Sequence, residues 1–264
     1  MQEYIKEKLE KLAGVIAPVL KLGHPESEFQ ADIIKISDVA TGVKITLGDR
    51  VGFLKLFADG DDAQAAFDRE RRALDILHGG QVPRLLLIAE AERAILTEYI
   101  KGQPLADTLH AENVIQTAEH LGQWFGRLSN HAPTEKADET WAVYLKGYSD
   151  GFDQEVLKQQ TPILDQSTIS RRVLSHNDNA LGNFILGADK RLYAVDFEDC
   201  RMKPEGWDLV TAGRALFGQA PEQLDLIAGS LLRGYQLTAK ECALAGNFDQ
   251  VISVLAVAMV TAKA

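Results

Sequence analysis

The stretch "LSHNDNALGNFIL" (174–186) sets a histidine, an aspartate and three asparagines between two apolar flanks. Downstream, "LYAVDFED" (192–199) ends an apolar run on Asp196 and Glu198. Upstream, "FLKLF" (53–57) carries Lys55 in mid-run, and "FDRERRALDIL" (67–77) carries Glu70. Taken singly, each has an ordinary explanation. A lysine in an apolar strand usually snorkels its head to water, a glutamate among arginines usually lies on a solvated helix face, and an aspartate after a strand commonly opens a turn. Taken together and in order, they match what phosphoryl transfer demands, which is charge neutralisation and positioning with little covalent chemistry. Lys55 on a strand with Glu70 on the next helix supplies a braced cation for nucleotide phosphates. Asn183 and Asp196 are hard oxygen donors of the kind that Mg²⁺ takes one or two of. Asp178 is the carboxylate that accepts or orients an attacking hydroxyl.

The elements that must carry these groups are legible from periodicity. Residues 3–20 place Tyr4, Ile5, Leu9, Leu12, Val15, Ile16 and Val19 at helical spacing. "ADIIKIS" (31–37), "GVKITLGD" (42–49) and "VGFLKLFA" (51–58) read as an antiparallel meander, with Gly48-Asp49 as a tight turn. Residues 61–80 form a helix that opens on acidic residues and stops at a glycine pair. Short strands follow at 84–91 and 93–100. After Gly102 and Pro104 the character changes: 113–132 reads as helix, and so does 139–160. Strands return only around 171–176, 183–186 and 191–197, and the apolar "VISVLAVAMVTA" (251–262) reads as a buried closing helix. The chain therefore divides near 101–105 into a β-rich part with one key helix (1–101) and a larger, mainly helical part (102–264). A cleft between two such lobes is a preferred place for a ligand.

Composition narrows the class. The chain has 264 residues, 46% of them hydrophobic, with a formal net charge of −10 and a pI near 5.1. An acidic surface disfavours nucleic acid and anionic lipid as partners and leans mildly toward a cationic small molecule. Two cysteines, Cys200 and Cys242, form no disulfide framework and lack metal-ligand spacing, which fits a reducing cytoplasm. The amino terminus mixes charges and shows no signal-peptide pattern, and the longest apolar run is shorter than the roughly 20 residues of a membrane span.

"H-N-D-x-x-x-x-N" followed by "V-D-F-E" resembles the catalytic loop and metal motif of the aminoglycoside phosphotransferase and choline kinase superfamily. The resemblance extends to "FLKLF", "RERRALDIL", the lobe connection "LTEYIKGQPL" and "GWDL" (206–209), and covers roughly residues 50 to 212. It implies an α+β, protein-kinase-like bilobal fold: a small antiparallel β-sheet lobe that binds nucleotide and a mainly helical lobe with the catalytic loop and acceptor site. It implies a small-molecule kinase that uses ATP and Mg²⁺, with Asp178 as catalytic aspartate and Asn183 and Asp196 as magnesium ligands. Lys55 then meets the α- and β-phosphates with Glu70 as its partner, and Glu98, Tyr99 and Ile100 in the lobe connection contact the nucleotide. His176 and Asp208 brace the catalytic loop. Glu198 either reaches a metal through water or is an exposed turn carboxylate.

The pattern departs from the family in places. "SDVATG" (37–42) replaces a three-glycine phosphate loop, although small residues still let backbone N–H groups approach phosphate. Asn179 stands where an apolar residue is usual, which puts the packing of that loop in question. The short interval between "DFE" and "GWDL" leaves no room for a protein-kinase activation segment. Two alternatives of other classes stand beside a kinase: a non-catalytic nucleotide-binding module, and a metal-dependent hydrolase using Asp178, Asp196 and Glu198, which leaves Lys55 and Glu70 without a task. The acceptor is choline-like or aminoglycoside-like, with thiamine, homoserine and a phosphorylated sugar also open. Trp141, Tyr144, Tyr148, Phe152 and Trp207 are candidates for an aromatic cation cage, though the helical spacing of 141, 144 and 148 favours a core over a cage.

Overall fold

The computed structural model describes residues 2–20, 29–78, 81–148 and 151–262. The glycine pair expected to stop the second helix, Gly79-Gly80, lies outside them. The chain forms two compact units: Met1–Lys101 with Val195–Asp199, and Gly102–Ala194 with Cys200–Ala264.

In the first unit, α1 (Gln2–Leu20) buries Ile5, Leu12, Ile16 and Leu20 along one stripe and turns Val15 to solvent. β1 (Phe29–Ile36), β2 (Ala40–Leu47) and β3 (Arg50–Phe57) form the expected antiparallel meander. Leu47 pairs with Arg50 across a two-residue turn in which Gly48 has a φ of 59°, a left-handed value that glycine adopts without a Cβ clash. α2 (Asp61–Ile76), β4 (Leu85–Ala89) and β5 (Ala94–Glu98) follow, giving a sheet ordered β1-β2-β3-β5-β4. Alternation along β3 separates two environments. Leu54 and Leu56 join the apolar cluster beneath α1. Phe57, on the opposite face, meets Phe67 of α2 edge-on with ring centroids 5.5 Å apart. Lys55 belongs to that second face.

The second unit runs β6 (Gly102–Pro104), α3 (Leu105–Thr108), α4 (Val114–Leu128), β7 (Glu135–Thr140), α5 (Trp141–Leu145), α6 (Gln154–Gln159), α7 (Thr161–Gln166) and β8 (Thr168–Ser175). After a 3₁₀ turn at Leu181–Asn183 come β9 (Phe184–Gly187), β10 (Leu192–Ala194), β11 (Arg201–Pro204), α8 (Trp207–Phe217), α9 (Leu224–Thr238) and α10 (Phe248–Thr261). The single helix expected over 139–160 is wrong. Thr140 accepts from Val143 N at 3.3 Å and Asp153 accepts from Glu155 N at 2.9 Å, so two caps start separate short helices. Strands also return earlier than expected. β6 hides behind turn residues: a Cβ on Gly102 would stand 2.3 Å from the Leu186 carbonyl, so only glycine lets that strand approach β9. β7, "EKADET", pairs with β8 although Thr140 is its one strand-forming residue.

α4 and α9 pack through glycines. A Cβ on Gly122 would meet the Leu231 carbonyl at 2.1 Å, and one on Gly234 the Glu119 carbonyl at 2.2 Å. The closing helix α10 is buried as expected, along Val251, Ile252, Leu255, Ala256, Ala258 and Met259. No helix among the described residues is long and apolar enough to cross a membrane.

Candidate active site

In the first unit Lys55 does not snorkel; its side chain is 9% exposed. Its ammonium lies 2.6 Å from Glu70, touches Asp196 Oδ1 and is 2.9 Å from Glu198. Burial alone would lower its pKa, but Glu70, Asp196 and Glu198 outweigh that and hold it above the ordinary lysine value. Burial pushes the enclosed Glu70 carboxyl up, with Lys55 opposing. Burial would also raise Asp196, yet Lys55 and Lys35 draw it down to about 2. Lys35, from β1, reaches Asp196 Oδ2 at 3.0 Å. It was missed in the sequence because an alternating strand gives no sign of which distant residue its outward lysine meets. Asp196 itself has a φ of 67°, an uncommon left-handed value for a residue with a Cβ, and such strain concentrates at functional positions. Arg69 of α2 donates its Nε to the Glu198 carbonyl and helps hold the segment.

Glu98 ends β5, with its N–H donating to the Arg84 carbonyl at 2.9 Å. Tyr99 and Ile100 follow, partly buried, and Lys44 Nζ lies 5.5 Å above the Tyr99 ring. In the loop before β2, Ser37 Oγ accepts from Val39 N at 3.3 Å and Ala40 N at 3.0 Å. Those two amides are therefore committed within the loop, and small residues alone do not make them phosphate donors.

In the second unit Asp178 and Asn183 meet directly. Asn183 Nδ2 donates to Asp178 Oδ2 at 2.8 Å and to its carbonyl at 3.2 Å. This leaves Asn183 Oδ1, the end of an amide that a cation can use. Asp208 braces the loop from α8: it accepts from Ser175 Oγ at 2.7 Å, His176 N at 3.1 Å, Asn177 N at 3.0 Å and Asn179 Nδ2 at 2.8 Å. Asn179, where an apolar side chain is usual, is buried and also donates to Thr211 Oγ1 at 2.6 Å, so the loop is tied by polar contacts there. His176 packs among Trp124 and Phe184. Asn177, at φ 68°, accepts the Trp207 indole N–H at 2.9 Å.

The donor set fits magnesium. Glu70, Asp196 and Glu198 can bring one oxygen each within 4.8 Å of one another. All three also contact Lys55; Asp196 and Glu198, less deeply buried than Glu70, match the small number of carboxylates that Mg²⁺ takes while keeping water and phosphate oxygens. The five aromatic candidates do cluster, but Trp141 is a core residue stacked on Trp207 at 6.4 Å.

The sequence matches the family model described as the phosphotransferase enzyme family over residues 37–241, well over half the chain. The chain belongs to the phosphotransferase enzyme family. Solved structures agree on the fold of this phosphotransferase. A macrolide 2′-phosphotransferase from Brachybacterium faecium is 13% identical, with a TM-score of 0.66 over 97% of this chain and 90% of its own. A choline kinase from Cryptosporidium parvum is 14% identical, with a TM-score of 0.62 over 94% and 86%. A spectinomycin phosphotransferase in complex with ADP and its antibiotic is 13% identical, with a TM-score of 0.51 over 92% and 86%. No curated protein matches the phosphotransferase in sequence. It is a phosphotransferase enzyme on an α+β protein-kinase-like fold.

Proposed function

We propose that this phosphotransferase moves the γ-phosphoryl group of ATP to a hydroxyl of a small molecule, with Mg²⁺ as the accompanying ion. The observation that carries the reading is the buried Lys55 ammonium held by Glu70, Asp196 and Glu198. A cation so enclosed stays charged and fixed, which is what stabilising a triphosphate requires. The ADP complex of the spectinomycin phosphotransferase supports a nucleotide as donor.

In this reading Lys55 binds the α- and β-phosphates and Glu70 keeps it aimed. Glu98, Tyr99 and Ile100 receive the nucleotide base. Asn183 Oδ1 and Asp196, joined by Glu198, hold the ion, which when bound neutralises charge on the phosphate oxygens. Asp178, steadied by Asn183, takes the proton of the acceptor hydroxyl. The acceptor oxygen forms its bond to the γ-phosphorus, the bond from that phosphorus to ADP breaks, and Asp178 passes the proton to water. The ATP requirement, with Cys200 and Cys242 both outside any disulfide, fits a cytoplasmic setting.

The test is release of ADP from Mg·ATP with and without a panel of alcohols and amino sugars. Acceptor-dependent ADP release is the expected result. Nucleotide-induced thermal stabilisation without turnover across the panel would favour a binding module instead. Cleavage of a phosphoester with metal and no nucleotide would favour a hydrolase.

A further inference from the structure

We infer that the acceptor carries an anionic group and that Lys203 binds it; this rests on the phosphotransfer reading above. The aromatic cluster of the second unit gives the ground for it. A quaternary ammonium is recognised by open aromatic faces, whose negative quadrupole attracts a cation. Here those faces already hold a cation of the chain itself. Lys203 Nζ, from β11, stands 4.9 Å from the Trp207 ring centre and 5.1 Å from that of Tyr148. It also donates to the Tyr148 hydroxyl at 2.6 Å, and that hydroxyl lies 2.8 Å from Tyr144 OH.

The rest of the cluster is equally committed. Trp141 stacks on Trp207, and Phe152 lies against the same indole with ring centroids 6.5 Å apart. Arg172, paired with Glu139, covers the Tyr144 ring at 5.5 Å. Although burial would raise the Tyr148 phenol, the Lys203 hydrogen bond leads the contacts that bring it below its usual value. This is a local field that welcomes negative charge.

The cluster is joined to the proposed chemistry through one bond. Trp207 Nε1 donates to Asn177 Oδ1 at 2.9 Å, and Asn177 precedes Asp178. Lys203, Tyr148, Asn177 and Asp178 are all only partly buried, so an acceptor has access to them. The chain's net charge of −10 favours cations in general, but the aromatic faces beside this loop already carry an ammonium, and an incoming cation would have to displace it. A carboxylate or a phosphate ester meets it with a charge-assisted hydrogen bond instead. A hydroxy acid and a sugar or polyol phosphate share that chemistry.

The test uses the full chain with four alcohols that differ in charge: glycerate, glycerol 3-phosphate, glycerol and choline. Binding is followed by calorimetry without nucleotide, and transfer by ADP release with Mg·ATP. The expected result is that glycerate or glycerol 3-phosphate binds at least about tenfold more tightly than glycerol or choline. Lys203→Met raises the KM of that acceptor about tenfold with kcat changed less than about threefold, and Lys203→Arg restores most of the loss. Lys203→Met also gains affinity for tetramethylammonium, because the aromatic faces are vacated. Preference for choline, or equal binding of all four, overturns the inference while leaving phosphoryl transfer standing if ADP appears. An anionic alcohol that binds through Lys203 without ADP release keeps the inference and overturns the transfer reading.

Discussion

Asn183 holds the Asp178 carboxylate through its side-chain amide at 2.8 Å, so the group proposed as proton acceptor has one fixed orientation. Replacing Asp178 by Asn keeps the shape and removes the basicity. Transfer should fall by about 10²–10⁴-fold, the range of a lost general base, while nucleotide binding stays within about threefold. Single-turnover rates with saturating acceptor, beside nucleotide titration, check this. A variant retaining most of its rate would remove Asp178 from the mechanism.

Asp196 has two ammonium partners, and only one of them is buried. The Lys35 side chain is 62% exposed, so its pair with Asp196 is worth little, about 0.5 kcal/mol. Lys35→Met should therefore raise Mn²⁺ affinity in the absence of nucleotide by only about two- to threefold, measured by electron paramagnetic resonance. Asp196→Ala should abolish magnesium-dependent stabilisation by ADP. Unchanged metal binding in Asp196→Ala would sink its assignment as a ligand.

Lys55→Met leaves Glu70, Asp196 and Glu198 together with Lys35 alone for compensation. A buried pair broken from one side costs about 3–5 kcal/mol. The pH dependence has a definite sign. Without the ammonium, nothing offsets the burial that already holds the Glu70 carboxyl above its unfolded pKa, so its contribution is present below the unfolded value and lost as pH rises. The variant should thus recover part of its stability on going from pH 7 to pH 5. In the parent protein Asp196 behaves oppositely: held at about 2, its stabilisation is lost only as pH falls from 3.8 through that value. Denaturant midpoints at both pH values decide; an equal deficit at pH 5 and pH 7 contradicts the account.

Two glycines of α9 make a matched pair. A Cβ at Gly234 would stand 2.2 Å from the Glu119 carbonyl, whereas one at Gly229 would meet nothing within 4 Å. Gly234→Ala should lower the melting temperature by several degrees, since backbone must move. Gly229→Ala should raise stability by roughly 0.5–1 kcal/mol through helix propensity. Calorimetric scans of the two variants provide the comparison, and a stable Gly234→Ala would show that the helices do not pack at that distance.

The meander, the helix after it and the closing helix were legible because strand and helix periods are local properties of sequence. The Lys55–Glu70 partnership was legible for a different reason: residue type, order and element type agreed with one chemistry. What escaped was set by distance. "ADIIKIS" shows that Lys35 points outward and says nothing about Asp196 meeting it. β6 and β7 escaped because one is built of turn residues and the other of charges, and both exist through pairing with β9 and β8. Asn179 looked like a packing fault, and its polar partners Asp208 and Thr211 lie on another element. The aromatic candidates were found, but not the lysine that fills their faces, since β11 gave no strand signal of its own.

The assignment of Val195–Asp199 to the first compact unit has a topological consequence. No single cut in the polypeptide yields that unit whole. A fragment ending at Lys101 would inherit the Lys55–Glu70 pair without its aspartate, and the remainder would carry the aspartate as an orphan. Recombining halves from different relatives would therefore mix the origins of one ion cluster, and an exchange that respects it has to move the five-residue segment along with the first 101 residues.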